Sequence, residues 1–307
     1  MTNIAVLIPA LNEEITIKKV VLDFKKEVPG CKIYVFDNGS TDNTSKLAKE
    51  AGAIVQQFKR RGKGSVMKAM FEEINADYYI LVDGDDTYPA DRIKDLLAPV
   101  VNDDADMTIG TRLENFQKEE NRLLHNFGNK VIRASVNFCF NSKIKDMLSG
   151  YRVMNKDFVK NINLLASGFE IETELTIKAL EDGYRIREIP VGYRERPPGS
   201  KSKLNALSDG TRILTTTLNL FRDYRPMQFF ILLSFFSIAV AAGFGYVPIA
   251  EIIQSGKILH PYSFAMCMFF TLLSFQLFIT GFITSSVHRL KEETMNVLRK
   301  IKRVMDK

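Results

Sequence analysis

Residues 80–89 read ILVDGDDTYP: an apolar run, Ile80-Leu81-Val82, stops at Asp83, Asp85 and Asp86, with Gly84 between the first two. Like charges at this spacing repel, so the cluster needs either open water or a cation. Two carboxylates offset by two positions at a strand end can converge on one hard cation. Mg²⁺ and Mn²⁺ take such oxygen ligands and commonly share them with a substrate's phosphates. Gly84 lets another group come close to the backbone. A D-x-D is short and common, and alone it reads more simply as a solvated acidic turn before Tyr88-Pro89.

The elements around this turn change the balance. Strand-like runs NIAVLI (3–8), KIYVFD (32–37), AIVQQF (53–58), YYILVD (78–83) and DMTIGT (106–111) alternate with amphipathic stretches of helical character. That alternation predicts an α/β fold, a mostly parallel sheet covered by helices on both faces. Ligands of such sheets bind beyond the carboxyl ends of the strands. Those ends are polar: PALNEE (9–14), DNGSTDNT (37–44), KRRGKG (59–64) and DGDDTYP. No G-x-G-x-x-G follows the first strand and no G-x-x-x-x-G-K-[ST] occurs, which removes the usual dinucleotide and ATPase phosphate loops. Taken singly, Asn12 and Glu13 also read as a helix cap, Asp37-Asn38-Gly39 as an Asx turn, and Lys63 as a solvated side chain.

After about residue 225 the composition shifts. MQFFILLSFFSIAVAAGFGYVPIA (227–250) and YSFAMCMFFTLLSFQLFITGFITSSV (262–287) hold no Asp, Glu, Lys or Arg. About 20 such residues, at about 1.5 Å each, cross a hydrocarbon layer of about 30 Å. Lys and Arg crowd both flanks, from Arg196 to Arg225 and from Arg289 to Lys307. The positive-inside bias therefore places both ends and the N-terminal domain in the cytoplasm, in a multi-pass protein of the cytoplasmic or inner membrane. MTN runs straight into a strand pattern, so no leader is expected. The net charge of +6 gathers beside the apolar runs and fits anionic headgroups better than nucleic acid. Cys31, Cys139 and Cys267 are odd in number and lack metal-ligand spacing, so they read as reduced apolar residues. The expected organisation is a catalytic domain at 1–205, an amphipathic juxtamembrane segment at 206–225 presenting Ile213, Leu214, Leu218 and Phe221, a transmembrane hairpin at 226–287, and a basic C-terminal helix at 288–307. In that last helix Leu290, Leu298, Ile301 and Met305 suit a subunit contact or a membrane surface equally.

IPALNEE, DNGSTDNT, GKG and DGDDTYP stand in an order and spacing that resemble the inverting glycosyltransferases of family 2, which have the GT-A fold. The resemblance runs on through GTR (110–112), KDMLSGYR (145–152) and GSKSKL (199–204). With two C-terminal spans it narrows to polyprenyl-phosphate glycosyltransferases, similar to dolichol-phosphate mannose synthase and to the bacterial enzymes that load undecaprenyl phosphate with glucose or N-acetylglucosamine.

The resemblance implies roles. Pro9, Asn12 and Glu13 would line the nucleotide, Asp37 would accept from the base, and Lys63 would reach base or phosphate. Asp83 and Asp85 would hold Mg²⁺ or Mn²⁺ on the diphosphate, Asp85 most directly, with Gly84 between them lining the donor. Arg196, Ser200 and Lys203 would belong to a loop closing over it. Arg112, Arg122, Arg133, Ser149 and Arg152 would receive the acceptor phosphate, Arg133 reading equally as a solvated side chain. Asp146 would orient or deprotonate the acceptor, or else brace the SGYR turn. The implied reaction is one in-line displacement with inversion, from a UDP-sugar, glucose or N-acetylglucosamine favoured, to an undecaprenyl or dolichyl phosphate. The product would serve cell-envelope or glycoprotein glycans, with homo-oligomers open.

Two other functions share parts of this pattern. A processive polysaccharide synthase usually carries Q-x-x-R-W and more spans, and this chain has no tryptophan. A membrane-anchored, non-catalytic nucleotide-sugar-binding protein would not need the aspartates, Lys63 and the arginines all intact.

Overall fold

In the computed structural model the first strand-like run forms β1 (Ile4–Ala10), with β2 (Lys32–Asp37), β3 (Ile54–Gln57), β4 (Tyr78–Leu81) and β5 (Met107–Thr111) following. The structure describes residues 2–112, 133, 134, 136–138, 140–199, 215, 218, 219 and 221–305, and the side chains of these apart from 292, 295, 296 and 298–305. Two strands were not expected: β6 (Arg152–Asn155) and β7 (Ile186–Pro190). The sheet order is β3-β2-β1-β4-β6-β5-β7. β6 runs antiparallel between β4 and β5, and the other pairings are parallel. The series therefore does not close at β5 as the sequence pattern suggested, although the sheet is mostly parallel.

This topology collects the polar turns at one edge. β1, β2, β3 and β4 are parallel, with Ala10 beside Asp37 and Asp37 beside Gln57, so their exits lie together. β6 enters where β4 leaves, since Arg152 pairs with both Leu81 and Ile109. The residues just before β6 thus reach the same edge as Asp83. Thr111 pairs with Pro190, which brings Arg112 and the segment after β7 there too.

Successive β1 side chains serve opposite faces, as the two-residue strand period requires. Val6 and Ile8 join α1 (Ile17–Glu27) and α4 (Ile93–Val101) in one core, with Ile17, Val20, Val21 and Phe24 forming the inward stripe of α1. Ala5 and Leu7 join the other core, with Met67 and Met70 of α3 (Lys63–Glu73), Phe158 of α5 (Lys156–Asn161), and Ile171 and Leu175 of α6 (Ile171–Glu181). A short α2 (Thr44–Glu50) follows β2. Apolar residues on both strand faces suit a sheet covered on both sides.

The chain separates into two compact units, Met1–Thr217 and Leu218–Lys307. The second is built on two helices, α7 (Pro226–Ser255) and α8 (Pro261–Met305). α7 starts with Pro226 and stops at Gly256, whose φ of 67° is left-handed. Small residues meet between the helices: Ser234 and Ser274 hydroxyls lie 2.8 Å apart, and Ser237 donates to the Phe270 carbonyl at 2.8 Å. Phe230 packs over Gly281, where a Cβ would come within 2.7 Å. The most apolar 18-residue stretches within Pro226–Ser255 and Pro261–Lys291 have mean hydropathies of 2.1 and 1.9, yet only 17% and 11% of those stretches is buried. A core helix of a water-soluble protein would be mostly buried, so these two are long, apolar and outward-facing enough to cross a membrane. The stretch read as a basic C-terminal helix continues the second apolar helix, α8 running unbroken to Met305. Ile213, Leu214 and Cys139 lie outside the described residues, as do the side chains of Leu298, Ile301 and Met305.

Candidate active site

The β1 and β2 exits are laced together. Asn12 takes a left-handed φ of 51°. Its N–H donates to Ser40 Oγ at 2.9 Å, and its Oδ1 accepts from Thr41 N at 2.8 Å. Glu13 is buried, its N–H donates to Thr44 Oγ1 at 2.8 Å, and its carbonyl accepts from Thr16 and Ile17 as α1 begins. Half-buried Pro9 pairs with Phe36 within the sheet. Asp37 is 1% exposed and accepts from Ser40 N, Ser45 Oγ and Gln57 Nε2. Burial pushes its carboxyl up, but the bonds from Ser40, Ser45 and Gln57 outweigh that and hold it below the usual aspartate value. It therefore stays charged at the end of β2, bonded to the N–H three residues on and not two on as in a simple Asx turn.

The GKG turn has a physical explanation. Asn38 accepts from Gly62 N at 2.9 Å and donates to the Phe58 and Arg60 carbonyls, tying this turn to β2. A Cβ on Gly62 would lie 2.1 Å from the Ser167 carbonyl, and one on Gly64 would lie 2.6 Å from that of Ala166. Gly62 also has a φ of 115°. Both glycines thus admit the 166–167 backbone. Lys63 does not extend into solvent: its Nζ lies 2.5 Å from Asp83 Oδ1 and 2.6 Å from Glu172 Oε1. Burial alone would push this ammonium down, but the two carboxylates hold it well above the ordinary lysine value.

Two cations answer the Asp83 and Asp85 pair. Lys63 meets Asp83, and Arg196 Nη2 lies 2.5 Å from Asp85 Oδ2. The other Asp85 oxygen accepts from Thr87 Oγ1 at 2.6 Å. Burial first, then the charge of Asp83, push the Asp85 carboxyl up despite Arg196 and Thr87. Asp86, at a φ of 58°, turns away to Lys19 at 2.7 Å. The Gly84 carbonyl accepts from Thr16 Oγ1 at 2.6 Å, which pins the turn between the two aspartates. Gly150 presses against Asp83, where a Cβ would come 2.5 Å from Oδ2.

On the β5 side, Arg112 and Asp146 form a bidentate ion pair, with Nε–Oδ2 and Nη2–Oδ1 both at 2.8 Å. The Arg112 guanidinium also lies 5.7 Å from the Tyr193 ring centroid. Glu188 in the middle of β7 accepts from the Lys145 and Asp146 N–H groups at 2.9 Å, fixing the segment that carries Asp146. Burial would raise the Asp146 carboxyl, but Arg112 outweighs it and holds Asp146 below the usual range. A depressed carboxylate with both oxygens on a guanidinium is poorly suited to act as a base. Its bonds go to Arg112, not to the SGYR turn.

Two expected phosphate contacts are corrected. Ser149 is wholly buried, and its hydroxyl donates to the Gly110 carbonyl at 2.6 Å. Arg152 is also wholly buried, donating to the carbonyls of Ser149, Met147 and Glu172 at 3.0, 2.8 and 2.9 Å. Burial pulls its pKa down to about 10. These residues shape the SGYR turn and cannot touch a ligand arriving from solvent. Arg133 is half-buried and donates to the Lys145 carbonyl at 3.4 Å. Arg122, Ser200 and Lys203 lie outside the described residues.

Among the described residues, no group of three or more His, Cys, Asp and Glu side chains is placed to hold a metal ion. Asp83 and Asp85 are two hard oxygen donors, and Mg²⁺ or Mn²⁺ needs only one or two carboxylates when phosphates and water complete its shell. Lys63 and Arg196 occupy the very oxygens a dication would take, so the pair demands positive charge. The donor set fits such an ion shared with a diphosphate.

Sequence reasoning missed Glu172, Thr87, Tyr193, Glu188 and the role of Gly150. The alternating acids of GFEIETEL (168–175) were a usable signal for Glu172.

The description Glycosyl transferase family 2 matches residues 5–162, just over half of the chain. Glycosyltransferase AglJ of Haloferax volcanii is 30% identical over 300 residues, covering 97% of this chain and 98% of that one. The dolichyl-phosphate hexose transferase of the same organism is 28% identical over 211 residues, 69% of this chain and 90% of its own. The solved structure of glucosyl-3-phosphoglycerate synthase from Mycobacterium tuberculosis with uridine diphosphate superposes with a TM-score of 0.59 at 20% identity, over 71% of this chain and 80% of that one. Another structure of that synthase, with Mn²⁺, UDP-glucose and phosphoglyceric acid, gives 0.57 at 20% identity, over 71% and 79%.

Proposed function

The chain belongs to glycosyl transferase family 2, and from that premise we propose that it carries a sugar, glucose or N-acetylglucosamine, from a UDP-sugar to a polyprenyl phosphate at the cytoplasmic face of a membrane. One observation carries the reading: a single chain joins a cation-demanding carboxylate pair at a strand exit to two helices apolar enough to span a bilayer. Relatives named for dolichyl-phosphate hexose transfer and dolichol-phosphate mannosyl transfer support the lipid acceptor. The synthase structure with UDP-glucose and Mn²⁺ supports the donor and the ion.

In this reading Pro9, Asn12, Glu13 and Asp37 line the nucleoside, and Lys63 and Arg196 face the diphosphate. Bound Mg²⁺ or Mn²⁺, held by Asp83 and Asp85, would neutralise charge on the departing diphosphate. Arg112, oriented by Asp146, receives the lipid phosphate together with Arg133; Arg122 joins them, and Lys203 joins the donor diphosphate, both from outside the described residues. A phosphate monoester is largely ionised at neutral pH, with a second pKa of about 6, so its oxygen needs no protein base. That oxygen forms the new bond to the anomeric carbon as the bond to the diphosphate breaks and UDP leaves. One displacement inverts the centre, so an α-linked donor gives a β-linked product.

The test is a panel reaction. Purified full chain is incubated with Mn²⁺ or Mg²⁺, undecaprenyl or dolichyl phosphate, and UDP-glucose, UDP-N-acetylglucosamine or GDP-mannose, and the lipid fraction is read by mass spectrometry. One hexose or N-acetylhexosamine adduct from a uridine donor is expected. An adduct only from GDP-mannose would overturn the donor, and a polymer or no lipid product would overturn the reaction.

A further inference from the structure

Behind the carboxylate pair, one ammonium is shared by two acids: Lys63 Nζ bridges Asp83 Oδ1 at 2.5 Å and Glu172 Oε1 at 2.6 Å. The acids differ in access. The Asp83 side chain is 26% exposed and that of Glu172 only 5%. A ligand arriving from solvent therefore meets Asp83 and not Glu172.

Glu172 is also held rigidly. In the turn before α6, Glu170 accepts from the N–H groups of Ser167 and Gly168, at 3.2 and 3.0 Å. Glu174 accepts from those of Leu165 and Ala166, at 2.9 and 2.8 Å. The same turn packs on Gly62 and Gly64, and Ser65 N donates to the Ser167 carbonyl at 3.3 Å. Arg152 holds the Glu172 carbonyl at 2.9 Å. Of the three alternating acids, two brace backbone and the middle one reaches Lys63.

We propose that Glu172 is a positioning residue, the buried counter-ion that keeps Lys63 in the site when Asp83 turns to a divalent cation. This rests on the donor and metal roles proposed above. A dication on Asp83 competes with Lys63 for the same carboxylate. With Glu172 in place, Lys63 keeps a partner when Asp83 is withdrawn. Without it, the ion must strip a buried ammonium of its remaining carboxylate, which is costly in a site shielded from water. Glu172 also sets the charge: Asp83, Asp85 and Glu172 exceed Lys63 and Arg196 by one negative charge, and its loss makes the group neutral.

The test is Mn²⁺ binding to the full chain in detergent with UDP present, read by electron paramagnetic resonance, so that turnover is not needed. Glu172→Gln weakens Mn²⁺ binding by about tenfold, the lower end of what a supporting partner of a metal ligand contributes. Adding Lys63→Met to it restores Mn²⁺ binding in a matched titration without UDP, where the diphosphate contact of Lys63 plays no part, because the competitor is gone. Glu172→Asp keeps the charge but is too short to reach Lys63, and gives an intermediate loss. It also serves if the amide variant does not fold. Unchanged Mn²⁺ affinity in Glu172→Gln, a double variant no better than the single, or Glu172→Asp matching the unmodified chain would each overturn the inference. Failure of the unmodified chain to bind UDP with Mn²⁺ would overturn the donor reading itself, and the inference with it.

Discussion

Arg112 and Asp146 meet through three hydrogen bonds: two from the guanidinium at 2.8 Å and one from the Arg112 backbone N–H at 3.2 Å. Such a pair fixes the direction of the guanidinium while leaving the carboxylate no free oxygen. It makes Asp146 an orienting group and Arg112 the group to be oriented. Asp146→Asn should lower kcat/KM for the lipid phosphate by about 10- to 100-fold, as loss of correct positioning does. The KM for the donor and the acid limb of the pH–rate profile should stay unchanged. Loss of that limb in the variant would instead mark Asp146 as a base.

The same pair gives stability a pH dependence. The Asp146 carboxyl is held below its ordinary value, so its contribution is complete above the unfolded pKa of about 3.9 and is lost as pH falls through the lower folded value. The difference in Tm between the unmodified chain and Asp146→Asn should be largest near neutrality and should shrink below about pH 4. A constant difference from pH 7 downwards would contradict this.

Arg152 should matter for folding and not for acceptor affinity. Arg152→Met leaves the carbonyls of Ser149, Met147 and Glu172 without the donor they now have. The expected cost is about 3 kcal/mol, since hydrogen bonds from charged groups contribute about 1.5–3 kcal/mol each and part is regained by removing a buried charge. For a domain of this size that lowers Tm by roughly 10 °C in a thermal scan. Folded variant should show the KM for lipid phosphate of the unmodified chain.

Gly150 should tolerate no side chain. A Cβ there would come 2.5 Å from Asp83 Oδ2, so Gly150→Ala must displace the carboxylate or the turn. A shift of about 1 Å at such a group costs about 100-fold in rate. The variant should lose that much in kcat, measured with saturating donor.

The first five strands were legible because apolar runs ended in recognisable turns. β6 was hidden because it starts at Arg152, which reads in sequence as a ligand contact. Only its pairing with Leu81 and Ile109 shows it to be a core side chain. β7 carries Arg187 and Glu188 within five residues and is an edge strand, so its alternation is weak. In the site, Asp83 and Asp85 stood out by type and spacing, whereas Asp37, Lys63, Arg112 and Asp146 drew notice through the family resemblance. Their partners did neither, because Glu172 and Tyr193 come from distant segments that only the folded sheet brings to this edge. Ser149 misled for the same reason as Arg152: a hydroxyl in a motif looks the same in sequence whether it faces a ligand or the Gly110 carbonyl.

The central claim is that Asp83 and Asp85 hold a divalent ion against the donor diphosphate. Its most direct test is single-turnover transfer from a labelled UDP-sugar to undecaprenyl phosphate with saturating Mn²⁺, comparing the unmodified chain with a folded Asp85→Asn variant. The account predicts a loss of about 1,000-fold, the upper range for removing one electrostatic stabiliser of a developing charge. Transfer undiminished in Asp85→Asn, with the same Mn²⁺ dependence, would contradict it.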